Sequence, residues 1–260
     1  MRFPTLFVNH GGGPMPLMGR QPALTKHMKD IVVALPGKPS SIVVVSAHWE
    51  GDPIRITSSE KPDMLFDYYG FPPETYEYSY PAPGDPTLAH RIQSLVDGSV
   101  LETERGFDHG VFVPLMLMYP DADIPVVAVS LNASLSAKDH LALGRALEPL
   151  RDDGILILGS GYTFHNMDAF FNPSEKSYRA SEEFNDWLKA TMLHPDSEER
   201  QRRLEHWERA PGARLVHPRE EHLLPLFVVA AAAGVDTKAS LVYEETTSGG
   251  NHAVSGYIFD

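Results

Sequence analysis

Three histidines of this sequence each follow a short apolar segment. A continuous apolar run suits a strand that is covered on both faces, as in a parallel sheet. Ligands of open α/β sheets bind just beyond the carboxyl ends of such strands. One histidine there is commonly a packed or surface residue, but three favour a shared metal site, because neutral imidazole is the commonest transition-metal ligand. The segments and their histidines are Thr5–Val8 with His10, Ile42–Val45 with His48, and Ile155–Leu158 with His165.

Two further histidines lie at predicted helix starts. His109 stands in the glycine-bracketed turn Gly106–Gly110, just before the apolar run Val111–Met118. It can therefore reach into a pocket, although a capping or surface role fits the turn equally well. His222 lies in the polar first turn of a predicted helix, Arg219–Ala233, whose remainder is nearly all apolar. Because an apolar helix is buried, its titratable first turn indicates a site residue.

The segment Pro62–Pro86 is rich in tyrosine, phenylalanine, proline and glycine. Its prolines exclude a long helix or a central strand. Its aromatic residues argue against disorder, and long irregular segments of compact domains are usually functional. We therefore predict an ordered wall or lid over the site, with Phe71 and Tyr80 as candidate substrate contacts. A loop that only packs its rings onto the core is the alternative.

The order of the predicted elements indicates an α/β protein. Apolar strands such as Ser41–Val45 alternate with amphipathic helices such as Pro22–Leu35. We predict a three-layer α/β/α fold with a central, mostly parallel sheet and a metal site at the carboxyl ends of the strands. No linker or repeat interrupts the 260 residues, which predicts one catalytic domain over 1–260. The tail is predicted to form two strands around Ser248–Asn251, with His252 in the second.

The composition limits the classes of partner. The net charge is −13 and no run of lysine and arginine occurs, which argues against nucleic acid or an anionic membrane as a partner. The sequence has no cysteine, so disulfides and thiolate chemistry are excluded. No apolar stretch is long enough to span a bilayer, and the first residues lead directly into a strand. We predict a cytoplasmic protein, and the oligomeric state stays open.

Taken together, these motifs resemble the extradiol ring-opening dioxygenases of the class III superfamily, in particular the 4,5-DOPA dioxygenase type. The resemblance extends over almost the whole chain, and its specificity comes from many matches in one order. The matching stretches are His10-Gly11, Ser46-Ala47-His48-Trp49, Gly70-Phe71-Pro72, Tyr80-Pro81-Ala82-Pro83-Gly84, Gly106-Phe107-Asp108-His109-Gly110, Tyr119 to Pro125, Ser160-Gly161, His165-Asn166, Glu221-His222 and Leu224-Pro225-Leu226.

The resemblance implies a non-haem metal held by His10, His48 and His222. Most relatives in the superfamily place a carboxylate at the third position, which gives a two-histidine, one-carboxylate set. The DOPA type has histidine there, as this sequence does. Glu221 is expected to point elsewhere, because adjacent residues of a helix project about 100° apart.

The resemblance also implies the reaction, which opens the ring of a catechol-type, DOPA-like substrate and incorporates both atoms of O2. Fe(II) is expected for activity, and Zn(II) can occupy the site in purified protein. His165 matches the catalytic base, which in the DOPA type can lie close enough to the metal to count as a ligand. His109 matches a residue that contacts substrate. The ordinary pKa of imidazole is about 6.5, which suits proton transfer near neutral pH.

This sequence departs from the family pattern at three places. The first motif usually reads His-Gly-Ser-Pro, but here Gly12-Gly13 precedes the proline; Val111-Phe112 replaces a usual Ser-Trp; and His252 has no expected counterpart. The changes in the two motifs concern the lining of the pocket and therefore the substrate. A metal-dependent hydrolase and a non-enzymatic metal-binding protein on the same fold are the alternatives. A serine hydrolase is disfavoured because no Gly-x-Ser-x-Gly elbow occurs.

Overall fold

The computed structural model describes residues 1–235, 237–246 and 252–260. The predicted turn Ser248–Asn251 lies outside the described residues. Within the described residues the strands are β1 (Thr5–Asn9), β2 (Ser41–Gly51), β3 (Arg55–Thr57), β4 (Val100–Glu102), β5 (Val126–Asn132), β6 (Ile155–Gly161), β7 (Ala239–Glu245) and β8 (Val254–Phe259). These eight strands form one sheet, in the order β4-β3-β5-β2-β6-β1-β8-β7.

The sheet is mixed, and its central strands are parallel. β5, β2, β6 and β1 run in one direction, so their carboxyl ends share one edge. β8 pairs antiparallel with β1, β7 pairs antiparallel with β8, and β3 pairs antiparallel with β5. The four central strands are buried along most of their length, as their unbroken apolar runs predict. The predicted α/β fold with a mostly parallel central sheet is confirmed.

Helices cover both faces of this sheet. The helix predicted over Arg219–Ala233 begins only at Leu224, because residues 221–223 form a turn. This difference decides how Glu221 and His222 are presented. The α-helices of the described residues are α1 (Pro22–Ala34), α2 (Pro86–Leu95), α3 (His109–Met118), α4 (Ala137–Leu147), α5 (Met167–Phe171), α6 (Glu175–Met192), α7 (Ser197–Glu205), α8 (Ala213–Val216) and α9 (Leu224–Ala232).

The end of β6 shows how the two helical layers approach the sheet. The Ser160 hydroxyl donates to the Gly110 carbonyl at the start of α3. A Cβ atom at Gly159 would lie 2.5 Å from the Pro225 carbonyl oxygen in α9, and one at Gly161 would lie 2.1 Å from the His222 carbonyl oxygen. Since successive strand residues point to opposite faces, α3 and α9 lie on opposite sides of the sheet. Glycine at 161 is what lets the His222 backbone approach β6, where its carbonyl accepts from the Tyr162 amide at 2.9 Å.

The strand β2 extends beyond its apolar run. It continues to Gly51, and its register with β5 shifts between Val45 and Glu50. His48 lies in this irregular stretch. An irregularity of this kind re-aims side chains next to active sites.

The buried apolar side chains form one cluster that draws on elements from β1 to β8. This favours the prediction of one domain over 1–260, which stays a prediction. Among the described residues, no helix has the combination of length and apolar composition that crossing a bilayer requires.

Candidate metal centre

Three histidine side chains meet at the edge formed by the carboxyl ends of the central strands. His10 follows β1, His48 lies near the end of β2, and His222 lies in the turn before α9. The Nε2 atom of His48 is 3.1 Å from that of His10 and 3.3 Å from that of His222. Nitrogens bound tetrahedrally to one zinc ion at its usual bond length lie about 3.3 Å apart. The spacing of these atoms therefore suits one shared metal ion.

The opposite nitrogen of each of these rings faces an oxygen atom. Such outer partners hold a metal-binding imidazole in one tautomer and one orientation. Two of the three oxygens belong to carboxylates, which can act only as hydrogen-bond acceptors; the contact of His222 is a hydrogen bond, and that of His48 is a charge contact at ion-pair distance. The contacts are His10 Nδ1 to Ser160 Oγ at 3.2 Å, His48 Nδ1 to Asp67 Oδ2 at 3.3 Å, and His222 Nδ1 to Glu221 Oε1 at 2.9 Å.

The Ser160 hydroxyl oxygen is a hydrogen-bond acceptor for its histidine, as the two carboxylates are. Its hydroxyl proton goes to the Gly110 carbonyl, so its oxygen is left to accept from His10 Nδ1. Protonation of all three rings at Nδ1, towards these oxygens, would leave the Nε2 lone pairs of His10 and His222 directed at that of His48. Three acceptors cannot satisfy each other by hydrogen bonds, whereas a cation satisfies all of them. The donor set therefore fits a divalent transition metal.

Burial keeps these imidazoles neutral. It lowers the pKa of His10 and His222 well below 6.5, and the neighbouring histidines add to the effect because two adjacent rings cannot both be protonated without repulsion. Burial, with a contribution from His109, lowers the pKa of His48 to about 3. A metal binds only the neutral ring, so near neutral pH it competes with few protons for these ligands.

The same burial predicts acid sensitivity of the metal-free protein. Burial also lowers the pKa of His217 to about 3, from an ordinary value of 6.5. The native state keeps His48 and His217 neutral while the unfolded chain takes up protons, so stability is complete above pH 6.5 and is lost as the pH falls from there towards 3. Each such histidine contributes up to about 1.4 kcal/mol per pH unit in that range.

Urea unfolding of metal-free protein is the measurement, and a lower midpoint is expected at pH 5.5 than at pH 7.5. The exposed His90 provides the control, since His90→Gln should leave the difference unchanged. Equal midpoints at the two pH values would contradict the expectation.

His165 lies beside this cluster and shares a carboxylate with it. Its ring stacks on that of His222, with centroids 3.4 Å apart and planes inclined by 14°. Its Nδ1 lies 3.2 Å from Glu221 Oε1, and 23% of its side chain stays exposed. Burial is the largest single influence and raises the pKa of Glu221, but contacts with His165, a backbone hydrogen bond and the charge of Arg219 together hold this pKa below its ordinary value. His165 thus keeps Nε2 as the nitrogen that can exchange a proton.

His109 lies against His10 and His48, and the possible ligand atoms of these three histidines are within 4.8 Å of one another. Its ring centroid is 3.9 Å from that of His48, and its side chain is 6% exposed. Asp67 Oδ1 accepts from its backbone amide at 3.0 Å and from its Nδ1 at 2.8 Å. Burial is the largest single influence and raises the pKa of Asp67, but the two hydrogen bonds from His109 and the nearby His109 and His48 rings together lower it to about 2. Asp67 is therefore a carboxylate at neutral pH.

Comparison with known proteins identifies this arrangement. A family model described as the catalytic LigB subunit of aromatic ring-opening dioxygenase matches residues 4–259. The chain belongs to this family. It is 37% identical over 262 residues to a protein of Beta vulgaris named 4,5-DOPA dioxygenase extradiol, covering 98% of this chain and 96% of the relative. A relative of the same name from Escherichia coli K12 is 37% identical over 235 residues, covering 89% and 85% of the two chains.

A solved structure agrees with this assignment. The crystal structure of an uncharacterized protein from Escherichia coli K12 matches with a TM-score of 0.79 and 32% identity, covering 99% of both chains. As a LigB-family member, the chain is an extradiol ring-opening dioxygenase, a non-haem metal enzyme that acts on an aromatic substrate and dioxygen. The hydrolase and the non-enzymatic alternatives are not favoured.

The aromatic segment of this LigB-family chain lies against the cluster. The Tyr68 ring is 5.9 Å from that of His109 and 5.5 Å from that of Phe71. The Phe71 ring packs on the loop that follows His10, where a Cβ atom added to Gly13 would lie 3.1 Å from it. Only the Tyr68 ring thus separates Phe71 from His109, which fits a wall beside the site. Its contact with substrate stays a prediction.

Tyr80 is not brought to the cluster. It is 2% exposed, and its hydroxyl donates to the Tyr119 carbonyl at 3.1 Å. Tyr119 follows the last residue of α3, whereas His109 is its first, and ten helical residues span about 15 Å. The Tyr80 hydroxyl therefore lies about a helix length from His109, beside the last turn of α3.

Sequence reasoning missed two residues of the site and placed a third differently. Asp67 lies in the aromatic segment and Ser160 is the second-last residue of strand β6, and no spacing in either stretch indicates a contact with a histidine. Glu221 was expected to project away from His222, as in a helix, but the turn conformation lets it accept from the ring of its neighbour.

His252 has a packing environment. Its ring stacks on Phe164 at 3.8 Å, with planes inclined by 10°, and its Nε2 is 3.0 Å from Ser177 Oγ.

Proposed function

We propose that the chain opens the ring of a small catechol of the DOPA type and uses Fe(II) as its active metal. The proposal is supported by the relatives' names and by the three converging Nε2 atoms, which carry it. His10, His48 and His222 hold the metal, and a set of three protein ligands suits non-haem Fe(II) oxygenases. A metal held by these residues would supply the Lewis-acid and redox chemistry through which a catechol reacts with dioxygen. Zinc accepts the same neutral imidazoles, so purified protein can carry it.

His165 is the catalytic base of this proposal. Its Nε2 takes the proton of a catechol hydroxyl, while Glu221 accepts from Nδ1 and stabilises the imidazolium that forms. The same imidazolium later returns the proton as the ring opens. Whether His165 also ligates the metal is tested separately by the variant discussed below.

His109 contacts the substrate. Asp67 holds its Nδ1 proton, which leaves Nε2 to accept a hydrogen bond from a substrate hydroxyl. Phe71 and Tyr68 form the apolar wall next to it and exclude water from the substrate ring.

The proposal is tested by reconstituting metal-free protein with Fe(II) under anaerobic conditions. Oxygenated buffer and a panel of catechols are then added, and a yellow semialdehyde is expected. DOPA and tyrosine form a matched pair, since tyrosine lacks one hydroxyl and is expected to give no product. With ¹⁸O₂, both labelled atoms are expected in the product. Fe(II)-loaded protein that turns over no catechol would contradict the proposal.

The Phe71→Ala variant is expected to raise KM for the best catechol by about 2- to 10-fold, because an aromatic contact contributes about 0.5–1.5 kcal/mol beyond its area. Bound metal should stay unchanged. Tyr69→Ala is the control, since this neighbour is 91% exposed and lies in the same segment. An unaltered KM in Phe71→Ala would indicate that the segment only packs on the core and does not contact the substrate.

Other partners are not part of the proposal. The net charge of −13 disfavours binding to nucleic acid or to anionic membranes. The cytoplasmic location stays a prediction that rests on the sequence.

A further inference from the structure

Asp67 lies in the aromatic segment, and its carboxylate contacts two different histidines of the site. Its Oδ1 accepts from the amide and the ring of His109, at 3.0 Å and 2.8 Å. Its Oδ2 lies 3.3 Å from Nδ1 of His48. Only 18% of the Asp67 side chain is exposed, so water replaces these contacts poorly.

The backbone holds Asp67 in this place. Leu65 donates to the Phe107 carbonyl and Phe107 donates to the Asp63 carbonyl, both at 2.8 Å. Asp67 donates to the Leu65 carbonyl at 3.1 Å. The segment that carries Asp67 is thus tied by backbone hydrogen bonds to the turn that carries His109.

Glu221 makes the corresponding contacts on the other side of the cluster. Its Oε1 accepts from Nδ1 of His222 at 2.9 Å and lies 3.2 Å from Nδ1 of His165. Each carboxylate therefore bridges one of the three converging rings and one ring beside them. The repetition indicates that the bridge serves the site, since a single packing accident would not produce it twice.

We propose that Asp67 is a positioning residue that sets the tautomer and orientation of both His48 and His109, and that it thereby joins the aromatic wall to the metal centre. With both Nδ1 atoms protonated towards Asp67, both Nε2 atoms are bare. His48 then presents a lone pair to the metal and His109 presents one to the substrate. This inference rests on the proposed roles of these two histidines.

An amide at position 67 cannot serve both rings. Asparagine has one oxygen, which accepts, and one nitrogen, which donates. If its oxygen stays with His109, its NH2 group faces His48 and favours the tautomer protonated at Nε2, which cannot bind a metal. If the amide turns over, His109 is affected instead. Because the side chain keeps its shape, Asp67→Asn removes this property with little change in packing.

Zinc affinity of the metal-free protein, measured by competition with a chelator, is the first readout. Loss of an outer partner of a metal-binding histidine typically costs 10- to 100-fold in affinity, and Asp67→Asn is expected to fall in this range. Asp63→Asn is the matched control: it lies in the same segment, carries the same charge change, is exposed, and makes no side-chain hydrogen bond or ion pair within the described residues. It should bind zinc like the wild type.

Imidazole ¹H–¹⁵N spectra of the zinc-loaded wild type are the second readout, which no folding failure of a variant can obscure. Protons on Nδ1 of both His48 and His109 are expected, and Asp67→Asn should alter at least one of the two. Either ring protonated at Nε2 in the wild type would overturn the proposal. So would wild-type zinc affinity in Asp67→Asn, or an equal loss in Asp63→Asn, which would indicate a general charge effect. Neither readout needs a substrate, so the result is independent of which catechol the enzyme opens.

Discussion

Replacing His165 by glutamine is expected to lower kcat by about 10²- to 10⁴-fold, the usual cost of losing a positioned acid–base group. Glutamine keeps a polar side chain of similar reach but cannot take up a proton. If His165 is the base and only lies near the metal, the variant keeps most of its Fe(II) affinity and still binds catechol. The stacking of His165 on His222, with Nδ1 turned to Glu221, favours this outcome.

Fe(II) affinity and kcat measured on the same preparation separate the two roles of His165. A true ligand would lose metal affinity together with activity. His90→Gln is the control, because this histidine is exposed and lies in α2. A His165→Gln variant with full metal and near-normal turnover would falsify both roles and remove the strongest residue assignment in the proposed function.

Replacing His48 by alanine is expected to abolish turnover through loss of the metal. His48 Nε2 is within 3.3 Å of the other two converging nitrogens, so its removal leaves two ligands. Loss of an outer partner of a metal ligand costs about 10- to 100-fold in metal affinity. Loss of the ligand His48 itself should lower the metal affinity further. Elemental analysis after dialysis measures the bound metal, and kcat is measured with Fe(II) restored.

His206→Ala is the matched control for His48→Ala, since it removes an exposed histidine outside the cluster. It is expected to retain metal and activity. If His48→Ala retained as much metal as the wild type, His48 would not be a ligand. The metal would then have to be assigned to other residues.

Much of the fold and the centre of the site could be predicted from the sequence. Unbroken apolar runs indicated buried parallel strands, and polar residues at their ends indicated which edge carries the site. Since parallel strands deliver their carboxyl ends to one edge, His10 and His48 could be brought together without any knowledge of tertiary contacts. The apolar character of the α9 region likewise placed His222 on a buried element.

Contacts between distant segments were decided only by the tertiary structure. Asp67 contacts His48 and His109 because the aromatic segment folds back along the turn at Phe107, and nothing in its own residues encodes that path. The same holds for Tyr80, whose hydroxyl was expected at the site and lies instead against the end of α3.

Local patterns indicated which histidines stand at strand ends, because hydrophobic periodicity and glycine or proline breaks are local properties of the chain. The packing of distant segments decided which oxygen faces each ring. A ring nitrogen and its oxygen partner must come within about 3 Å of each other, and the partners here lie far apart in the chain or, for Glu221 and His222, depend on a turn in place of a helix.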